Sequence, residues 1–147
     1  MSIHDRCKVL VNFLVLLVTG GYSTGSDGTY IGSRTSVELL SSDGTRLCSL
    51  PNLPAERYQH SQTGLVACGG GKHRSSERTS CVTFDSGRWK KTHTLRYKRF
   101  AHSAWASPRG VLLMGGGYSD GDGTTTELLT DNGGSTPSFS LAKHKYL

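Results

Sequence analysis
A chain of 147 residues has room for one ordinary domain. Its 19 glycines against 4 prolines exclude collagen and Pro-rich linkers and call instead for many tight turns. The formal net charge is +6, yet no nucleic-acid-binding motif accompanies it. No segment has capped helical periodicity. Short apolar runs are separated by Gly, Ser, Asp and Thr, and that pattern reads as an all-β chain.

The first apolar run, Val9 to Val18, follows Arg6 and Lys8. It has the basic and apolar parts of a signal peptide and is too short for a transmembrane helix. It also reads as a strand buried on both faces and closed by Gly20-Gly21. Three such runs end in glycines: L-L-V-T-G-G (16–21), G-L-V-A-C-G-G-G (64–71) and V-L-L-M-G-G-G (111–117). Aligned on Gly20, Gly70 and Gly116, the spacings are 70 − 20 = 50 and 116 − 70 = 46. The glycine positions Gly20, Gly21, Gly70, Gly71, Gly116 and Gly117 are therefore expected to repeat structurally. Removing the first run would leave the first repeat without its strand, so the register selects the strand over the leader.

Other positions keep step. Tyr22-Ser23 corresponds to Tyr118-Ser119, and Val37-Glu38-Leu39-Leu40 to Thr126-Glu127-Leu128-Leu129. In the middle repeat the same strand reads Cys81-Val82-Thr83-Phe84, and an Asp/Gly turn follows each. Trp89 comes next there, where the first repeat has Leu47. Leu53-x-x-x-Arg57-Tyr58-x-His60-Ser61 matches Leu95-x-x-x-Arg99-Phe100-x-His102-Ser103, and Leu141-x-x-x-Lys145-Tyr146 begins a third copy.

These features together resemble the kelch-repeat family, within the group that includes the central propeller of galactose oxidase. The resemblance runs from about residue 9 to the end and implies an all-β propeller fragment of about three four-stranded antiparallel blades. Periods near 50 residues fit that family. The blades are expected at about 9–53, 58–95 and 100–141, within one partial propeller spanning 1–147, with the last residues opening a further repeat. The double glycine should close the second strand of each blade. The variable loops Tyr22–Arg34, Lys72–Arg78 and Tyr118–Thr124 then become the expected binding face. Exposed end faces imply remaining blades or self-association.

The reactive residues are weighed against this repeat. His60 and His102 each precede a serine, but a Ser-His hydrolase needs one special histidine with an orienting acid. Their repetition points to a structural hydrogen bond, and blade equivalents are expected too far apart to share a metal. For Arg57 and Arg99 the kelch resemblance implies a position that ties blades together or faces the central channel, although a ring of arginines also suits an anion. Asp120-Gly121-Asp122-Gly123 reads as a turn rather than a calcium loop. The basic residues Arg88, Lys90, Lys91, Arg96, Lys98, Arg99 and Arg109 read as solvated loop and edge positions.

Of Cys7, Cys48, Cys68 and Cys81, the pair Cys68 and Cys81 flanks a Gly-rich turn on neighbouring strands. A disulfide there contributes roughly 3 kcal/mol on the chain-entropy model and implies an oxidising compartment. Two buried thiols are the alternative, so an extracellular and a cytoplasmic location both stay open. The expectation is a non-enzymatic scaffold that binds a protein or a glycan, with no cofactor. The alternative is a fragment of a copper oxidoreductase like galactose oxidase, whose copper ligands match no residue here.

Overall fold
The computed structural model describes residues 15–45, 47–72, 79–116, 125–130 and 135–140. Residues 9–14, Cys7, most of the Lys72–Arg78 loop, Gly117, the Tyr118–Gly123 segment, the Asp131–Gly133 turn and the 141–147 block lie outside them. The described residues form strands and no helix, so none of them forms a helix long and apolar enough to cross a membrane.

The first sheet joins β1 (Val15–Thr19), β4 (Val37–Ser41) and β5 (Leu47–Leu50) in the order β1-β4-β5. Between β1 and β4 the chain makes a separate hairpin, β2 (Tyr22–Thr24) with β3 (Tyr30–Ser33). The second sheet is a four-stranded meander of β6 (Ser61–Thr63), β7 (Val66–Cys68), β8 (Ser80–Asp85) and β9 (Arg88–Thr94). The third repeats that order with β10 (Ser103–Ser107), β11 (Gly110–Met114), β12 (Thr125–Leu129) and β13 (Ser135–Ser140). All pairings are antiparallel. The double glycine follows the second strand in the second and third sheets, as expected.

Two results differ from the expectation. The first sheet has three described strands where four are expected, and the segment read as one strand from Val9 is described from Val15. The stretch Tyr22–Arg34, read as a loop, carries a hairpin turned by Asp27-Gly28: Asp27 Oδ1 accepts the Thr29 amide at 3.0 Å, and Gly28 has φ +80°. Local chemistry sets the other turns in the same way. Ser86 (φ 51°) and Gly87 (φ 81°) form the two-residue connection between paired Asp85 and Arg88. Two positive-φ residues match the right-handed twist of the flanking strands.

Strand alternation places one face of each sheet against the next. Val37 and Leu53 pack with Ala67 and Val82 between the first and second sheets, with Leu17, Leu50 and Trp89 at the margin. Cys68, Cys81 and Leu95 pack with Leu113 and Leu129 between the second and third. The second sheet, covered on both sides, needs apolar residues on successive positions, which explains the unbroken run Val66-Ala67-Cys68. Burying a side chain such as Leu113 contributes about 1.5–3 kcal/mol.

Candidate functional site
The chemistry-bearing residues collect at the junctions between sheets. At the first junction the Gly21 amide donates to the Arg57 carbonyl at 2.7 Å, and the Arg57 amide donates to the Arg34 carbonyl at 3.2 Å. The backbone of Arg57 therefore lies against the first sheet. Its guanidinium reaches into the second, donating to the Gly69 carbonyl at 2.6 Å, the Ser80 carbonyl at 2.9 Å and Ser80 Oγ at 2.7 Å. The second junction repeats this. The Gly70 amide donates to the Arg99 carbonyl at 2.7 Å, and the Arg99 guanidinium donates to the Gly115 carbonyl, the Thr125 carbonyl and Thr125 Oγ1 at 2.6, 3.0 and 2.6 Å. Each arginine is a strap from one sheet to the next.

Arg99 has a further partner. Its Nε donates to Glu127 Oε1 at 3.0 Å, with both side chains almost fully buried. Glu127 also accepts the Arg96 amide at 2.7 Å and the Tyr97 amide at 3.3 Å. A buried carboxylate is tolerated only with this degree of pairing.

These bonds also settle the glycine equivalence. Gly20, Gly69 and Gly115 have φ of +62°, +64° and +68°, and their amides donate to the carbonyls of Ser36, Ser80 and Thr125. The repeating pairs are thus Gly20-Gly21, Gly69-Gly70 and Gly115-Gly116. In the second and third runs they fall one residue earlier than the sequence alignment places them. Gly71 instead forms a β-bridge with Tyr58. The conformation is needed because a Cβ on Gly69 would stand 2.4 Å from the Arg99 carbonyl oxygen, as one on Gly20 would stand 2.3 Å from that of Arg57.

His60 Nε2 lies 2.7 Å from Thr19 Oγ1 on the first sheet. His102 Nε2 lies 2.6 Å from Ser61 Oγ on the second. Each histidine thus bonds a hydroxyl of the preceding sheet. Its Nδ1 has no hydrogen-bond partner among the described residues, and no carboxylate among them orients either ring. Burial lowers both pKa values to about 4, helped by Arg57 beside His60 and Arg99 beside His102. Both rings are neutral at pH 7. Among the described residues, no three His, Cys, Asp or Glu side chains converge to hold a metal.

The cysteines stand opposite each other in register on β7 and β8 and form a disulfide, with Cα atoms 4.1 Å apart. Cys48 is disulfide-bonded as well. Trp89 leaves β9 toward the preceding connection, where its Nε1 donates to the Pro51 carbonyl at 2.8 Å. Two residues of the basic stretch are engaged: Arg99 is buried against Glu127, and Lys90 pairs with Asp85.

One cluster escapes a one-dimensional reading. Tyr22 and Tyr30 project from the β2–β3 hairpin and meet Tyr58 from the β5–β6 connection. Ring centroids are 6.3 Å apart for Tyr22–Tyr30, 5.9 Å for Tyr22–Tyr58 and 6.1 Å for Tyr30–Tyr58. Tyr30 and Ser33 hydroxyls both donate to the Lys72 carbonyl, and Lys72 pairs with Glu56 at 3.4 Å. Tyr22 and Tyr30 remain 58% and 43% exposed. A polar-tipped aromatic surface on a braced hairpin is suited to contact a ligand rather than to transform one. Tyr22 follows the double glycine and Tyr58 follows Arg57 in the sequence, but only the fold brings them together. No known family model matches the chain, and no curated protein matches its sequence.

Proposed function
We propose that the chain is a non-enzymatic kelch-type propeller segment that binds a protein or glycan partner. One observation carries the reading. The arginine strap, the glycine pair and the histidine–hydroxyl bond recur at both junctions, so the groups with chemical potential are consumed in holding sheets together. What the scaffold leaves presented is the Tyr22–Tyr30–Tyr58 surface, on the side of the chain where the connection after the double glycine runs. Large aromatic side chains with little conformational freedom are favoured contact residues in both protein and sugar recognition.

The test is an array of neutral glycans and extended peptides probed with the chain and with the variant Tyr22→Ala/Tyr30→Ala. Selective retention that disappears in the variant, while the variant still unfolds cooperatively, supports the reading. Equal binding by both proteins, or none by either, defeats it.

A further inference from the structure
We propose that the first sheet carries an open socket for a basic side chain, and that a second copy of this chain fills it, docking head to tail. The inference rests on the repeat reading above. It starts from a correspondence between strands. The Gly20 amide bonds the Ser36 carbonyl as Gly69 bonds Ser80 and Gly115 bonds Thr125. Ser36 therefore matches Ser80 and Thr125, and Glu38 matches Glu127, two residues further along each strand. In the second and third sheets this place receives Arg57 and Arg99. In the first sheet the same acceptors stand ready: the Gly20 and Ser36 carbonyls, Ser36 Oγ and the Glu38 carboxylate. Ser36 is exposed and Glu38 half-buried, and Glu38 has no ion-pair partner among the described residues.

The described residues leave the apolar surface around the socket uncovered as well. Leu17 and Val37 face the second sheet, so Leu16, Val18 and Leu40 face away by alternation. Leu47, paired with Leu40, occupies the place that Trp89, paired with Phe84, holds in the second sheet. Trp89 is tied to the preceding connection, whereas Leu47 is 62% exposed and Leu16 61%. At the opposite end, Leu113 and Leu129 face the second sheet. Trp105, in register with Leu112, therefore faces outward and is 60% exposed. These two outward faces of the described sheets are the two halves of the junction that the described residues make twice.

The occupant follows from the same spacing. Leu53-x-x-x-Arg57-Tyr58 and Leu95-x-x-x-Arg99-Phe100 supply the internal straps, and Leu141-x-x-x-Lys145-Tyr146 is the next block of that form. Lys145 of one copy is matched in charge to Glu38 of the other. Counted over the described sheets alone, two copies joined at both outward faces bring six sheets into a ring, within the roughly four to eight that propellers use.

Sedimentation velocity of the full chain over a concentration series tests this. The expected result is a dimer that Glu38→Lys or Lys145→Glu weakens by roughly ten-fold or more, and that the two changes in one chain restore. Trp105→Ser weakens it in the same direction. Glu38→Gln, which removes only the charge, guards against a folding defect in the reversal. A monomer at every concentration, or a dimer indifferent to charge at Glu38, overturns the proposal. Neither result bears on the tyrosine surface, whose array test reads ligand binding by the chain in any oligomeric state.

Discussion
The guanidinium of Arg57 donates to the carbonyl of Gly69 at 2.6 Å, across a junction that its own backbone does not cross. Its counterpart Arg99 does the same to Gly115 at 2.6 Å. Arg99 also neutralises the buried Glu127, while the bonds that carry Arg57 into the second sheet go to carbonyls and a hydroxyl.

Removing the charge of Arg99 should therefore be costly. Arg99→Met leaves a buried carboxylate without its counter-charge and is expected to cost about 3–5 kcal/mol. Urea midpoints at constant slope give the value. Adding Glu127→Leu to Arg99→Met should recover part of the loss. No recovery in the double variant would show that the ion pair adds nothing to the strap.

The buried histidines set the response to acid. Their folded pKa values lie at about 4, below the ordinary 6.5, so the unfolded chain binds more protons between those limits. Stability is then complete above about pH 6.5 and falls as pH drops toward 4, by on the order of 3 kcal/mol for each ring. His60→Gln/His102→Gln retains a hydrogen-bonding group and removes the titration. Melting temperatures of this variant should be nearly flat from about pH 6.5 to roughly pH 4.5, while those of the parent decline.

Much of this was legible in one dimension. The spacing of Leu53, Arg57 and His60 against Leu95, Arg99 and His102 is preserved residue for residue, because each block performs the same three bonds. The glycine register was legible only to within one residue. Three consecutive glycines at 69–71 give no sequence means of choosing which pair adopts positive φ against the arginine carbonyl. Glu127 was visible as a repeat partner of Glu38, but its task depends on a backbone turn at Arg96 and Tyr97 brought in from another sheet. The tyrosine surface was hidden for the same reason: its members are far apart in sequence and meet only through the hairpin.

The Cys68–Cys81 disulfide closes a loop of sequence separation 13, and both cysteines lie in the core between the second and third sheets. Replacing both with alanine should lower stability by roughly 3 kcal/mol through the unfolded chain, with a further loss from the small cavity. Calorimetric unfolding of Cys68→Ala/Cys81→Ala reads the sum. A melting temperature equal to the parent's would mean that the bond does not staple this junction.

The glycine pairs separate conformation from space. Gly21 has φ +98°, but a methyl group placed on its Cα would meet nothing within 4 Å, whereas one on Gly69 would lie 2.4 Å from the Arg99 carbonyl oxygen. Gly21→Ala therefore meets only the backbone penalty, roughly 1–2 kcal/mol. Gly69→Ala meets that penalty and must also push Arg99 out of line, which breaks the 2.7 Å bond to Gly70 and loosens the strap to Gly115. Its cost should exceed that of Gly21→Ala by at least the worth of one buried hydrogen bond, about 1 kcal/mol. Hydrogen exchange locates the difference: in Gly69→Ala the Gly70 amide should lose protection, and in Gly21→Ala it should keep it. Protection of Gly70 in both variants would show that the close approach of Gly69 to Arg99 does not hold this junction.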